Sequence, residues 1–86
     1  MNEVVAVIAG TFSRGAGWLD YDIEATRKAE NEWEFAGLRW KVFTTEDSLR
    51  GYRFWDAVYL GPFPGQRPTL YEIAPLIVER YRAKPR

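Results

Sequence analysis

Neither cysteine nor histidine occurs among the 86 residues of this chain. The first absence excludes a disulfide framework, a thiolate metal site and a thiol nucleophile. The second removes the commonest general base and the commonest transition-metal ligand. Net charge is missing too: 12 basic residues balance 12 acidic ones, so no global field steers the chain toward nucleic acid or an anionic membrane. The two halves differ slightly. Residues 1–43 carry five basic and seven acidic side chains and residues 44–86 seven and five, with a locally basic end at Arg80, Arg82, Lys84 and Arg86. Long apolar runs are also absent. Val4–Ala9 is too short for a signal-peptide core or a membrane span, and Met1-Asn2-Glu3 supplies no basic lead-in. These absences predict a reducing, cytoplasmic setting with no membrane contact, no metal and no cofactor.

Aromatic residues are plentiful. Four Trp, five Tyr and five Phe are more aromatic surface than a core this small is expected to hide. A chain of this length reads as one domain over 1–86, and such a domain buries only about 60–65% of its unfolded surface.

Val4-Val5-Ala6-Val7-Ile8-Ala9 is a continuous β-branched run ending at Gly10, the pattern of a strand buried on both faces. Leu38–Thr44 alternates apolar and polar and reads as a half-buried or edge strand. Ala57-Val58-Tyr59-Leu60, before Gly61-Pro62, reads as a third strand. Between the first two, Thr26, Ala29, Trp33 and Ala36 recur at helical spacing within 20–36, with Asp20 or Asp22 as cap and Gly37 as terminator. Trp33-Glu34-Phe35 also alternates, and Ala36-Gly37 is able to turn a hairpin into the next strand, so both readings stand. Thr45 to Gly51 predicts a one- or two-turn helix capped by Thr45. Thr69-Leu70-Tyr71-Glu72 is a capping box, with Ile73, Ile77 and Tyr81 on one stripe behind it. Pro75 either kinks that helix or begins it, if 69–73 is only a turn.

The order β-α-β-α-β-α predicts a small α/β fold: a three-stranded parallel sheet of strand order 2-1-3 with flanking helices, Rossmann-like. Trp33 and Trp40 are expected in its core. Two open edges would remain. Arg39 and Lys41 guard the second strand, whereas the third is less protected and invites a dimer.

In open α/β sheets, ligands sit beyond the carboxyl ends of the strands. The loop there holds Gly10, Thr11, Ser13 and Arg14, which suit a phosphate, with Arg50 as a second charge. The same glycines also suit a plain flexible connection, and Asp47 to Gly51 a plain capped turn. The loop is neither a Walker A motif nor a full GxGxxG, and no Lys-Ser/Thr pair is present, which argues against an NTPase. Ser13 and Ser48 have no histidine and no GxSxG elbow, which argues against a serine hydrolase. Glu30, Glu32 and Glu34 read as a solvated face. The surplus aromatics suggest a protein interface: Trp18, Tyr52, Arg53, Phe54, Trp55 and Phe63 lie in or beside loops, and Tyr52-Arg53-Phe54-Trp55 has the composition of binding hot spots. Each of these aromatics alternatively serves as a lid over the core.

The layout of an apolar strand, Ala9-Gly10-Thr11, then Thr44-Thr45-Glu46-Asp47-Ser48-Leu49-Arg50-Gly51, then Asp56-Ala57-Val58-Tyr59-Leu60-Gly61 resembles small α/β proteins of actinobacterial phages. The Leu49-Arg50-Gly51 stretch is distantly similar to phage terminase ATPase domains, but the Walker A lysine is absent and Gly61-Pro62 stands where those have Asp-Glu. The resemblance implies an α/β fold and a phage origin, with no activity attached. The expectation is a non-enzymatic interaction domain in the host cytoplasm. It would bind a host or phage protein, or itself, with nucleic acid disfavoured. A small phosphate- or nucleotide-binding domain is the alternative.

Overall fold

The computed structural model describes residues 3–62 and 69–84. In chain order they form β1 (Glu3–Ile8), α1 (Phe12–Gly17), a π-helical turn (Trp18–Asp22), β2 (Thr26–Ala29), β3 (Glu32–Phe35), β4 (Leu38–Phe43), a 3₁₀ turn (Asp47–Leu49), β5 (Arg53–Tyr59) and α2 (Thr69–Arg80). One sheet of order β2-β3-β4-β1-β5 joins all five strands. The β2/β3 and β3/β4 pairs are antiparallel, and β4/β1 and β1/β5 are parallel. This overturns the expected three-stranded parallel sheet: the sheet is five-stranded and mixed.

The difference lies in residues 20–36, where the helical reading fails: beyond the π-helical turn the chain forms β2 and β3, and the alternative hairpin turned by Ala36-Gly37 joins β3 to β4. A helix there buries one large side chain, Trp33, on a stripe of otherwise small residues. The hairpin sets Trp33 opposite Trp40 and Phe35 opposite Leu38, and Trp33 becomes fully buried. Burying an indole is worth at most about 5 kcal/mol from area alone. Ala36 and Gly37 form the two-residue turn with φ of +55° and +76°, the positive values that primed hairpin turns require. Asn31 helps hold the other turn against the sheet. Its side-chain Nδ2 donates to the Val42 carbonyl at 3.0 Å and its Oδ1 accepts from the Val42 N–H at 2.8 Å.

The hairpin also moves the edges. β4, read as an edge strand, is interior, and the edges are β2 and β5. β2 is four exposed residues that include Arg27 and Lys28, a short charged edge that discourages pairing. At β5 the chain beyond α2 returns alongside. The Phe54 N–H donates to the Tyr81 carbonyl at 3.0 Å, and the Ala83 N–H donates to the Phe54 carbonyl at 2.8 Å.

β1 is buried on both faces. On one face Val4, Ala6 and Ile8 pack with Phe43, Leu49, Phe54, Ala74 and Val78. On the other, Val7 and Ala9 pack with Ala16, Leu19, Trp33 and Val42 beneath α1. α2 runs unbroken through Pro75. Its most buried residues are Ala74 and Val78, so the face toward the sheet is rotated from the Ile73, Ile77, Tyr81 stripe of the sequence reading. Among the described residues, no helix is long and apolar enough to cross a membrane.

Candidate interaction groove

β4 ends at Phe43 beside Ile8, whereas β5 begins at Arg53 beside Glu3, at the opposite end of β1. Residues 44–52 therefore carry the chain back along the sheet. Leu49 anchors this crossover in the core with no exposure, and Gly51 turns it into β5 with φ of +84°. The 3₁₀ turn is stabilised locally: Thr45 Oγ1 accepts from the Ser48 N–H at 3.3 Å. The crossover and α2 share one face of the sheet, and an open groove of about 800 Å³ lies between them.

Glu46, Arg50, Gly51, Tyr52 and Arg53 line the groove from the crossover side. Ile73, Leu76, Ile77, Arg80 and Tyr81 line it from α2. Leu76 is 71% exposed, by far the most exposed aliphatic side chain among the large apolar residues described. Tyr52 is half-buried, edge-on to Phe43 at 5.2 Å between ring centroids, with the Lys41 ammonium 5.9 Å from its own ring. The groove thus has an apolar wall and an aromatic edge, with arginines lining it.

The aromatic and basic residues read from the sequence as an interface separate here. Tyr52 and Arg53 line the groove. Phe54 is fully buried, and its ring contacts Phe43 at 5.9 Å. It belongs to the core because β5 starts at Arg53, four residues earlier than read, and turns that side chain inward. Trp55 is the extra residue of a bulge where β5 shifts register against β1. It is half-buried, and its carbonyl accepts from Arg82 Nη1 at 3.2 Å. Trp18 lies on the other face, half-buried against Trp40 at 6.2 Å. Trp40 itself is only half-buried, and Phe35, which was not singled out, is exposed beside it. Phe63 lies outside the described residues.

The candidate phosphate residues also divide. Thr11, Ser13 and Arg14 line a second hollow of about 500 Å³, shared with Trp18, Tyr21, Asp22 and Leu60. Gly10 opens the same loop, at the end of β1. Thr11 caps α1, accepting from the Arg14 N–H at 3.3 Å, and Arg14 Nη2 donates to the Leu60 carbonyl at 3.0 Å. Arg50 is not part of this hollow. The crossover carries it to the other end of the sheet, where it lines the groove and pairs with Asp47 at 3.4 Å.

Near the hollow, burial raises the Tyr71 phenol above its ordinary pKa while Arg14 pulls it partly back, and its hydroxyl donates to the Gly61 carbonyl at 2.7 Å. Burial raises Tyr59 as well, opposed by Arg82 and reinforced by Asp56. Both shifts hold the phenol neutral, the opposite of what a base or nucleophile needs. Among the described residues, no group of three or more acidic side chains is placed to hold a metal, and every buried side-chain nitrogen or oxygen has a partner.

Of the groove residues, the sequence reading assigns only Arg50, Tyr52 and Arg53 to a site; Ile73, Ile77 and Tyr81 read as a helix stripe, and Leu76 is not singled out. The available signal was α2 itself. Residues 70–78 are apolar at nearly every position, more than one helix face is able to bury. No family model, curated protein or solved structure matches this chain, so the site rests on its geometry.

Proposed function

We propose that this chain is a non-enzymatic protein-interaction domain, a phage accessory protein whose contact surface for a phage or host protein is the groove between the crossover and α2. The observation that carries the reading is the apolar wall of the groove, where Leu76 is 71% exposed beside the half-buried Ile73 and Ile77 on one turn of α2. Leaving it in water has no folding benefit, and exposed apolar surface rimmed by polar groups marks contact sites. Tyr and Arg, the residue types enriched at hot spots, flank it at Tyr52, Tyr81, Arg53 and Arg80. The absence of histidine and cysteine supports the non-enzymatic part, and the phage origin rests on the resemblance noted above.

Selection of a displayed peptide library on the wild-type protein, with Leu76→Asp as counter-selection, tests this reading. Enriched peptides that lose binding to Leu76→Asp are expected. Enrichment that survives the substitution, or no enrichment, would contradict it. The phosphate-ligand alternative has weaker support. In its hollow Arg14 is already tied to the Leu60 carbonyl, and the Asp22 carboxylate opposes an anion. A nucleotide whose affinity falls on Arg14→Ala would restore it.

A further inference from the structure

The charge of the groove specifies the segment it takes, an inference that rests on reading the groove as the contact surface. Its lining holds three arginines, Arg50, Arg53 and Arg80, against one acid, Glu46. The chain is neutral overall, so the remainder carries nine basic and eleven acidic residues. The cationic surplus is therefore gathered where apolar side chains are exposed. Among the described residues Arg53 and Arg80 have no acidic partner. Arg80 rests only over the ring of Tyr81, at 5.7 Å from its centroid. Arg50 does pair with Asp47, but both side chains are highly exposed, so that pair exchanges readily for a better one.

The backbone indicates the form of the occupant. α2 presents Ile73, Leu76, Ile77 and Arg80 at i, i+3, i+4 and i+7, the ridge against which a second helix packs. Its 12 residues span about 18 Å, which matches a partner helix of similar length. We infer that the groove binds an acidic amphipathic helix of a partner protein, whose aliphatic side chains cover Ile73, Leu76 and Ile77 while its carboxylates meet Arg53, Arg80 and Arg50. A basic helix places like charges together. A neutral helix covers the arginines without compensating them.

Three fluorescein-labelled helical peptides of about 15 residues test this. They share one leucine face and carry Glu, Gln or Lys at the flanking positions. Anisotropy titrations use the full chain, the Arg53→Glu/Arg80→Glu double variant and Leu76→Asp. The Glu peptide is expected to bind on the order of tenfold more tightly than the Gln peptide, with the Lys peptide weakest and the Glu affinity falling as salt rises. The double variant reverses the order of Glu and Lys peptides, a reversal that loss of folding does not produce. Leu76→Asp abolishes binding. Equal binding of all three peptides, lost in Leu76→Asp, would overturn the acidic partner and leave the interaction reading standing. Glu-peptide binding that survives Leu76→Asp would overturn both. Failure of all three peptides to bind would overturn the acidic-helix inference, with the library selection deciding the broader reading.

Discussion

Replacing Gly15 with alanine tests how closely α1 lies on the sheet. A Cβ at Gly15 would sit 2.6 and 2.8 Å from the two γ-carbons of Val42 and 3.2 Å from its Cβ. Val42 is nearly buried in the core and β-branched, so its methyl groups have little freedom to move away. Overpacking of this kind costs about 1–3 kcal/mol. Alanine recovers about 1 kcal/mol of helix propensity, which leaves a net loss of about 1 kcal/mol. Gly17 is the control. Its φ of −62° and ψ of −42° are helical, and a Cβ there meets nothing within 4 Å. Gly17→Ala should therefore stabilise by about 0.5–1 kcal/mol. Urea denaturation followed by tryptophan fluorescence measures both. For a domain of this size, 1 kcal/mol moves Tm by about 4–8 °C. Adding Val42→Ala should remove the penalty of the Gly15 change, with a coupling energy above about 0.5 kcal/mol. Equal stabilisation by the two glycine substitutions would refute the close approach of α1 to β4.

Ala36→Asn should stabilise by about 0.5–1 kcal/mol in the same assay, because Ala36 has φ of +55° at the β3–β4 turn and Asn-Gly suits such turns. Removing residues 81–86 strips the hydrogen-bond partners of Phe54 from the edge of β5 and deletes buried Ala83, so light scattering should show increased self-association and denaturation a lower stability. The phenol shifts set an alkaline limit. Tyr71 is raised in the folded state from about 10, so its contribution is complete below that pH and is lost as pH rises through the folded value. Stability should fall above about pH 10, and Tyr71→Phe should make that fall shallower while losing the bond to the Gly61 carbonyl.

Legibility in the sequence followed the strength of the local pattern. The run Val4–Ala9 is apolar at every position because β1 is covered on both faces, and it was read as such a strand. Thr45 to Gly51 reads as a one- or two-turn helix, and the structure keeps only a 3₁₀ turn over Asp47–Leu49, with Thr45 still accepting from the Ser48 N–H. The segment 20–36 carried both periods at once. What decides between them is the facing strand: Trp40 and Leu38 oppose Trp33 and Phe35, a non-local pairing that a helical count over Thr26, Ala29, Trp33 and Ala36 does not register. The hairpin alternative at Ala36-Gly37 is the one the structure bears out; carrying the helical reading into the fold costs the sheet two strands and makes β4 an edge. α2 was found, but its orientation was not. Its nearly continuous apolar stretch does not say that Ala74 and Val78 are buried against the sheet, with Ile77 partly packed beside them and Leu76 left exposed. The groove depends on that rotation, and on the crossover moving Arg50 away from Arg14, so its residues were legible singly and not as a set.

Chemical-shift mapping tests the central claim most directly. The isotope-labelled chain is titrated with the acidic leucine-faced peptide, and backbone amide shifts are followed residue by residue. The groove predicts changes concentrated at Glu46 to Arg53 and Ile73 to Tyr81, reduced in the Leu76→Asp variant. Changes concentrated at Thr11 to Asp22, or no saturable change, would contradict it.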